Sequence, residues 1–477
     1  MPEFHVENFG CRAARADGEA VGGRLRAAGL DEGLPAAANV VVVNTCSVTA
    51  EADRAARAFI RRTHRLNPEA RIVVTGCYAQ RAPEELAGMA GVSAVVGNSH
   101  KALAPEIILG LMERGAGEVA PTTATDLVSL QSLLAGGAPI WADDRFAHSF
   151  IEEAQLAPGE QTRPNLKIQE GCGNRCTFCV IPQTRGSSKS LLPAGVMRQV
   201  EGFVAAGGNE LVLSGINLGR WGRDLPASDG RLGFTLAGLV REIFSETELP
   251  RLRLSSIEPM DWDAELIGLM AEFSGSRLAR HAHLPLQSGS DAVLRRMHRR
   301  YRPWHYAEKV AALRQAAGPE LTLGADVMVG FPAETDAEFE ETMELVRALP
   351  FGYLHLFPFS PRPGTRGWEL HKERPVAPRA VEERMAALRA LGAEKSEAHR
   401  RSFVGRELEA ITLHTPVALA GQGRTVAMTE NFLPVEMDGQ LAANRLVRVR
   451  IAGLGAEGTL AATEAGTAMP SPAASLQ

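Results

Sequence analysis

The sequence predicts an α/β protein in three parts: an N-terminal domain on a parallel sheet, a partial parallel barrel of six strand–helix units, and a small C-terminal β-rich module. Three observations predict this fold class. Continuous apolar runs of strand length alternate with helical segments in the first 115 residues. Six further strand–helix units follow residue 160. Short strands of alternating polarity come near the end of the chain.

Length and composition agree with several globular domains. The chain has 477 residues, of which 45% are hydrophobic and 22% are charged. No run of about 18 or more apolar residues predicts a membrane span. The segment Met1–His5 lacks the basic and apolar regions of a signal peptide, so the cytoplasm is the expected compartment. A net charge of −5 means that any polyanion would have to meet local basic patches.

Residues 1–115 are expected to form the N-terminal domain. Its predicted strands are Phe4–Phe9, Val40–Val43, Arg71–Val74 and Val92–Val96, and its predicted helices are Ala13–Ala28, Glu51–Leu66 and Pro83–Met89. Cys11, Cys46 and Cys77 each follow one of the first three strands. The carboxyl ends of parallel strands share one edge, so the three cysteines are expected to converge there. One such cysteine could be a small buried residue, but three at equivalent strand ends indicate shared ligation.

Residues 116–160 lack this periodicity and are predicted to form a connecting segment. Residues 161–400 are expected to form the barrel. Its predicted strands are Leu166–Gln169, Glu210–Leu213, Arg251–Ser255, His281–Leu286, Leu321–Val329 and Tyr353–Phe357. Residues 401–465 form the β-rich module, with strands predicted at Glu407–Leu413 and Arg445–Ile451. The composition of residues 466–477 predicts a disordered tail.

A compact cysteine array follows the first barrel strand. Cys172, Cys176 and Cys179 form a Cys-x3-Cys-x2-Cys pattern. A cubane iron–sulfur cluster normally takes four thiolates, so three leave one iron open. A zinc knuckle or a buried thiol cluster is the alternative, but zinc spacings usually run Cys-x2-4-Cys with a distant second pair. The chain has six cysteines in all, and two sets of three predict two three-thiolate clusters.

The run Gln169–Pro182, followed by Arg185, resembles the radical-SAM methylthiotransferases, in which S-adenosylmethionine (SAM) fills the open iron site. The phrase Asn44–Ala52 resembles the MtaB-type branch of this MiaB/RimO superfamily. Further phrases agree with the family, namely Arg253–Pro259, His283–Gly289, Asp326–Pro332 and Phe357–Thr365. The resemblance covers nearly the whole chain.

This resemblance implies a methylthiotransferase domain, a radical-SAM partial barrel and a C-terminal TRAM β-barrel. It implies two 4Fe–4S clusters, with SAM as both radical source and methyl donor. Cys172, Cys176 and Cys179 match the ligands of the SAM cluster, whereas Cys11, Cys46 and Cys77 match those of the auxiliary cluster. The implied reaction adds a methylthio group to C2 of N6-threonylcarbamoyladenosine at position 37 of tRNA. An electron donor such as flavodoxin or ferredoxin is a further implied partner.

The expected SAM-binding residues are Phe178, Gly207, Gly208, Glu210, Ser256, Glu258 and Asp326. By resemblance, the Gly207-Gly208 pair meets the methionine end of SAM, since glycines let backbone approach a ligand closely. A plain turn is the alternative for this pair. Ser256, Glu258 and Asp326 lie at or near predicted strand ends and could bond the ribose or amine of SAM. Asp326 could instead be a structural acid.

The densest basic run is the candidate tRNA-binding surface. Its expected phosphate contacts are Arg295, Arg296, Arg299 and Arg300. The alternative is a solvated helix end. The same choice, between a phosphate-contacting face and a solvated one, applies to the arginines of the predicted helix Glu51–Leu66.

Two rival functions and one departure from the family pattern accompany this interpretation. The same chemistry could act on isopentenyladenosine in tRNA or on an aspartate of a ribosomal protein. An iron–sulfur protein that binds RNA or transfers electrons without catalysis is the rival from another class.

The family usually reads Gly-Cys-Arg-x-Asn-x-x-Glu at its first cysteine. Here Ala14 and Asp17 stand where the family has Asn and Glu, so the surroundings of the auxiliary set are expected to differ.

Overall fold

A computed structural model describes residues 2–113, 137–146, 161–226 and 233–465, together with 149–151, 153, 156 and 158. Over these ranges no helix is long and apolar enough to cross a membrane. The predicted tail, 466–477, and residues 116–136 of the predicted connection lie outside the described residues.

The N-terminal sheet has six strands, all paired in parallel, in the order β2-β1-β3-β4-β5-β6. These strands are β1 Glu3–Asn8, β2 Asp31–Glu32, β3 Val40–Thr45, β4 Arg71–Gly76, β5 Val92–Gly97 and β6 Ile140–Trp141. The helices are α1 Arg12–Ala27, α2 Ala50–Leu66, α3 Cys77–Arg81, α4 Pro83–Ala87 and α5 Ala104–Glu113. The predicted parallel sheet is confirmed. However, β6 falls within the segment expected to be a connection, and it pairs with β5 instead.

Burial on both faces explains the apolar runs of this sheet. Val41 and Val43 pack into one hydrophobic cluster with Phe59 of α2, whereas Val40 and Val42 pack into another with Leu25 of α1. Helices on both faces leave only the strand ends for polar chemistry. The cysteines that follow the strands are therefore presented at one edge.

The second unit is a partial barrel of six parallel strands. These six are β7 Asn165–Glu170, β9 Glu210–Gly215, β10 Arg251–Leu254, β11 His281–His283, β12 Thr322–Val329 and β13 Phe351–Pro358, and the short β8 Lys189–Ser190 lies beside β7. Two sheets, β10-β9-β7-β8 and β11-β12-β13, meet at a parallel bridge between Ser256 and His283. Only the short β8 pairs antiparallel to its neighbour among these described strands. The predicted six-stranded barrel is confirmed.

The barrel helices lie outside the strands and bury their apolar faces against them. They are α6 Ile181–Arg185, α7 Pro193–Ala205, α8 Leu236–Glu246, α9 Ala264–Phe273, α10 Asp291–Arg296, α11 Pro303–Ala317, α12 Asp336–Ala348, α13 Arg366–Glu373 and α14 Pro378–Arg401. The long helix α14 packs on β13. Trp221, Trp262 and Phe203 are among the largest fully buried side chains of this core.

The C-terminal module is a closed barrel in the order β14-β15-β16-β18-β17. Its elements are β14 Glu407–Thr412, α15 Val417–Ala420, β15 Arg424–Thr429, β16 Pro434–Asp438, β17 Leu446–Leu454 and β18 Leu460–Glu464. It docks against the amino ends of the larger barrel's strands, where Arg253 donates to the Thr429 carbonyl at 3.2 Å. The carboxyl ends of those strands therefore remain free to face the N-terminal domain.

Candidate active site between the two cysteine sets

Cys11, Cys46 and Cys77 converge at one edge of the N-terminal sheet, as the sequence predicts. Gly10 has φ +102°, and a Cβ atom placed there would lie 2.5 Å from the Cys46 sulfur. Only glycine therefore lets the Cys11 segment approach Cys46 so closely. Burial, followed by repulsion from Cys77 and Cys11, raises the pKa of the Cys46 thiol to about 12. The three thiols thus lie within electrostatic range of one another.

The N-terminal sulfurs accept N–H donors from several directions. The Val48 backbone N–H lies 3.5 Å from the Cys46 sulfur. Asn98 Nδ2 and Arg185 Nε lie 3.4 Å and 3.2 Å from the Cys77 sulfur. Hydrogen bonds to the ligand sulfurs are one of the features that tune iron–sulfur clusters.

The second set follows β7 in the barrel. The Asn174 backbone N–H lies 3.4 Å from the Cys172 sulfur, and Asn217 Nδ2 lies 3.7 Å from the same atom. Arg299 Nη1 lies 3.3 Å from the Cys176 sulfur. Burial, followed by Cys176 and Cys172, raises the pKa of the Cys179 thiol to about 12. This set repeats the arrangement of the first, in which N–H groups and one arginine face the sulfurs.

One cavity of about 470 Å³ joins the two sets. Cys11, Val48 and Thr49 line it from the N-terminal domain, and Phe178 and Cys179 line it from the barrel. The cavity is large enough for a nucleoside-sized ligand. Chemistry at either set of sulfurs would therefore open onto the same space.

The donor atoms fit iron–sulfur clusters better than single metal ions. All six cysteines are free thiols. In the described part of the chain, the one group of three His, Cys, Asp or Glu ligand atoms within 4.8 Å of one another is His283–Asp326–His355. Tetrahedral zinc, with Zn–S bonds of about 2.3 Å, would draw three sulfurs within about 4 Å of one another. In each cysteine set at least one pair of sulfurs lies more than 4.8 Å apart, which is compatible with a multi-iron cluster.

Four of the expected SAM-binding residues line the cavity: Phe178, Ser256, Glu258 and Asp326. Burial alone would raise the pKa of Asp326, but its bonds to His283 and His355 outweigh burial and lower that pKa. His283 Nε2 lies 3.1 Å and His355 Nδ1 lies 3.3 Å from Asp326 Oδ1. A fixed negative charge beside two imidazoles therefore faces the cavity.

A tyrosine extends this polar end of the cavity. The Tyr353 hydroxyl lies 3.0 Å from His283 Nδ1 and 2.8 Å from His281 Nε2. His281, His283, Tyr353 and His355 all line the cavity. These histidines were missed by sequence reasoning, although His283 opens one of the motifs that carry the family resemblance.

The expected SAM contacts at Gly207, Gly208 and Glu210 are wrong. They lie at the amino end of β9, whereas Ser214 and Asn217, at its carboxyl end, line the cavity. Glu210 is fully buried and accepts from Arg253 Nε at 2.8 Å. Gly207 accepts from Asn444 Nδ2 of the C-terminal barrel at 2.8 Å. Ligands bind at the carboxyl ends of parallel strands, which we call the strand-end rule. Applied to β9, this rule would have selected Ser214 and Asn217 instead.

The arginines of the basic run differ in their exposure and in the acidic side chains that they bind. Arg295 and Arg300 are exposed, and Arg295 pairs with Asp291 at 2.9 Å. Arg296 makes two bonds to Glu338, at 2.8 Å and 2.7 Å.

The expected phosphate contact at Arg299 is wrong. Arg299 is 7% exposed, and its Nη2 donates to Glu258 at 2.5 Å while its Nη1 faces the Cys176 sulfur. Its guanidinium therefore faces the cysteine set and not the surface. The N-terminal helix α2 keeps exposed arginines at 54, 61, 62 and 65.

Comparison with known proteins gives two family matches. Residues 3–97 match the family described as "Uncharacterized protein family UPF0004", and residues 166–346 match the Radical SAM superfamily. Each match contains one of the two cysteine sets. Among solved structures, the radical S-adenosylmethionine methyltransferase TsrM from Kitasatospora setae aligns with a TM-score of 0.52 at 15% identity, over 78% of each chain. That likeness shows the fold.

Curated relatives align along most of the chain. The threonylcarbamoyladenosine tRNA methylthiotransferase MtaB of Bacillus subtilis is 33% identical over 94% of this chain and 93% of its own. The MtaB of Aquifex aeolicus is 33% identical over 93% and 99%. A tRNA-2-methylthio-N(6)-dimethylallyladenosine synthase of Geobacter metallireducens is 32% identical over 84% and 85%. With this identity along its length, both cysteine sets and the barrel in place, the chain belongs to the radical SAM methylthiotransferase family of enzymes.

Proposed function

We propose that this enzyme adds a methylthio group to C2 of N6-threonylcarbamoyladenosine in tRNA. The observation that carries the proposal is the shared cavity, which Cys11 of the first cysteine set and Cys179 of the second both line. The relatives named for this substrate align over more than nine-tenths of the chain, which supports the same substrate here. Because the relatives named above modify tRNA, we also propose a cytoplasmic location.

The polar end of the cavity favours this substrate over dimethylallyladenosine. A threonylcarbamoyl group carries a carboxylate, a hydroxyl and a urea, all of which need hydrogen-bond partners when buried. His283, Tyr353 and His355 offer such partners at the cavity wall. A dimethylallyl group would leave these polar side chains facing an apolar surface, which costs free energy.

We propose that each cysteine set holds one 4Fe–4S cluster. Cys172, Cys176 and Cys179 would hold the SAM-binding cluster, and Cys11, Cys46 and Cys77 the auxiliary one. SAM would supply the 5′-deoxyadenosyl radical, given an electron from the barrel cluster, and the methyl group, while the auxiliary cluster would hold the sulfur.

The protein's own groups position these reactants. Ser214, Asn217, Ser256, Glu258 and Asp326 would fix SAM above the barrel cysteines. The apolar wall of Val180, Ile181, Met328, Phe357 and Phe359 would exclude water from the radical. Cys11, Val48 and Thr49 line the same cavity from the N-terminal domain, so a bound substrate would face both domains.

Nucleoside analysis of tRNA from a deletion strain tests the proposal. We expect 2-methylthio-N6-threonylcarbamoyladenosine to disappear and its unmethylthiolated precursor to accumulate. Plasmid-borne parent enzyme should restore the modified nucleoside, whereas Cys46→Ala should not. Persistence of the modified nucleoside in the deletion strain, or loss of the dimethylallyl derivative instead, would overturn the substrate assignment.

The reductant is a low-potential one-electron donor, which we propose to be a flavodoxin or ferredoxin. Anaerobic turnover with each purified donor tests this. Formation of 5′-deoxyadenosine with dithionite but with neither protein would contradict the donor assignment. No 5′-deoxyadenosine with any reductant would instead favour a non-catalytic iron–sulfur protein.

A further inference from the structure

Five buried charged side chains form ion pairs where the N-terminal domain contacts the barrel. Asp17 and Lys101 come from the N-terminal domain, and Lys167, Glu170 and Arg185 come from the barrel. Each is at most 12% exposed. We name this group the interdomain charge cluster.

The two carboxylates each contact all three cations. Arg185 Nη1 lies 2.9 Å from Asp17 Oδ2 and 2.7 Å from Glu170 Oε1. Lys101 and Lys167 each pair with both acids. Burial alone would raise the pKa of Glu170, but Lys101 and Lys167 outweigh it and bring that pKa to about 2. Both carboxylates are therefore ionised at neutral pH, because the pKa of Asp17 is lowered in the same way.

The interdomain charge cluster carries one uncompensated positive charge. It has three cations, Lys101, Lys167 and Arg185, against two carboxylates. Burial lowers the pKa of Lys101 to about 8, which leaves it protonated at neutral pH. A buried unpaired charge is strongly unfavourable. The next acceptor that Arg185 reaches is the Cys77 sulfur, 3.2 Å from its Nε.

Arg185 also connects the two cysteine sets physically. Its Nη1 binds Glu170, which comes two residues before Cys172, while its Nε binds the Cys77 sulfur. Asn98 makes a parallel link, because its Nδ2 donates both to the Cys77 sulfur at 3.4 Å and to the Thr184 carbonyl at 2.8 Å. The guanidinium is fully buried, so this arrangement is fixed by packing.

We propose that Arg185 is a positioning residue that joins Cys77 to the interdomain charge cluster, and that the excess positive charge of this cluster raises the reduction potential of the iron–sulfur group on Cys11, Cys46 and Cys77. This inference rests on the auxiliary group of the proposed function. Reduction adds one electron, so nearby positive charge favours the reduced form. The barrel set differs, since Arg299 is balanced there by Glu258 at 2.5 Å.

The test uses full-length protein in which Cys172, Cys176 and Cys179 are all changed to Ala. This parent holds iron only through the N-terminal set. After anaerobic reconstitution, iron content and a dithionite redox titration followed by electron paramagnetic resonance give loading and midpoint potential. Arg185→Gln and Lys101→Met each remove one positive charge, so each should shift the potential negative. Asp17→Asn removes one negative charge and should shift it positive.

Lys101 and Asp17 are the decisive pair because neither bonds a cysteine sulfur among the described contacts. If Arg185→Gln fails to fold, these two variants still carry the test. Shifts of opposite sign support the inference, since a merely structural role would not produce them. Arg379→Gln, a change at an exposed arginine outside both sites, serves as the control and should leave the potential unchanged.

Two results would overturn the inference. The first is iron bound at the parental stoichiometry with midpoint potentials that do not shift, or that shift in the same direction for Lys101→Met and Asp17→Asn. This result would contradict the inference and leave the proposed function intact. No iron in the parent itself would refute the auxiliary group of the proposed function, and this inference with it.

Discussion

Arg362 and Asp53 form a buried ion pair across the cavity wall, with Arg362 Nη1 2.6 Å from Asp53 Oδ2. Asp53 lies on α2 of the N-terminal domain and also binds Arg81 at 2.9 Å. Arg362 follows β13 of the barrel and lines the cavity. The pair is therefore one of the buried contacts that fix how far the N-terminal cysteines lie from the barrel cysteines.

Loss of this pair should uncouple the two halves of the reaction. SAM cleavage needs only the barrel, whereas sulfur delivery needs both domains in the correct relative position. Arg362→Met should therefore impair sulfur delivery more than SAM cleavage. We expect the ratio of 5′-deoxyadenosine to methylthiolated product to rise about tenfold or more, since small displacements of reacting groups are costly. Both products are quantified from the same reaction. Arg379→Met, which breaks an exposed pair with Glu383, is the matched control and should keep the parental ratio.

Asp326 should contribute to SAM affinity. Asp326→Asn keeps the side-chain volume but removes the charge that His283 and His355 face. A hydrogen bond to a charged group contributes about 1.5–3 kcal/mol, so we expect the KM for SAM to rise about tenfold or more. Iron content should not change. A raised KM for tRNA with an unchanged KM for SAM would show that Asp326 meets the RNA substrate instead.

The exposed arginines of the basic run should contact tRNA phosphates. Arg295→Ala and Arg300→Ala are each expected to weaken tRNA binding and to reduce the slope of log K against log salt by about 0.7–1. Arg296→Ala is the comparison, because Glu338 already occupies its guanidinium. Filter binding across a salt series measures all three. Equal slopes for every variant would place the tRNA surface elsewhere.

His399 should make the protein sensitive to acid. Its Nε2 lies 2.8 Å from Thr322 Oγ1, and burial, followed by Arg314 and Arg400, lowers its pKa to about 4 from an ordinary 6.5. The unfolded chain therefore binds this proton first as pH falls. The neutral His399 imidazole therefore contributes its full stabilisation of the folded state above pH 6.5, and this stabilisation is lost as pH falls from 6.5 through 4.

His399→Gln removes this titration, so its melting temperature should fall less between pH 6.5 and 4.5 than that of the parent. The corresponding difference in the free energy of unfolding between parent and variant is about 2 kcal/mol. Identical pH profiles for parent and variant would contradict the lowered pKa of His399.

The cysteine sites were predictable because they depend on local patterns. Runs such as Val40–Val43 specify strands buried on both faces, and the strand-end rule then brings Cys11, Cys46 and Cys77 together. The position of Cys172 after β7 follows from the same rule. No long-range contact has to be known for any of these steps.

The errors came from contacts between residues far apart in the sequence. Two glycines before β9 look like a ligand loop, but only the docked C-terminal barrel shows that this end of the strand is closed. A run of arginines does not reveal that Arg299 turns inward to Cys176. The role of Asp17 depends on Lys167, which is 150 residues away in the chain. Such pairings follow from tertiary packing and not from periodicity.

The central claim is that both cysteine sets serve one reaction in one cavity. The most direct measurement is anaerobic turnover of a Cys11→Ala, Cys46→Ala, Cys77→Ala triple variant with SAM, reductant and tRNA. We predict 5′-deoxyadenosine formation near the parental rate and no methylthiolated nucleoside, with iron reduced from about eight to about four atoms per chain. Methylthiolated nucleoside formed at the parental rate by this variant would contradict the account.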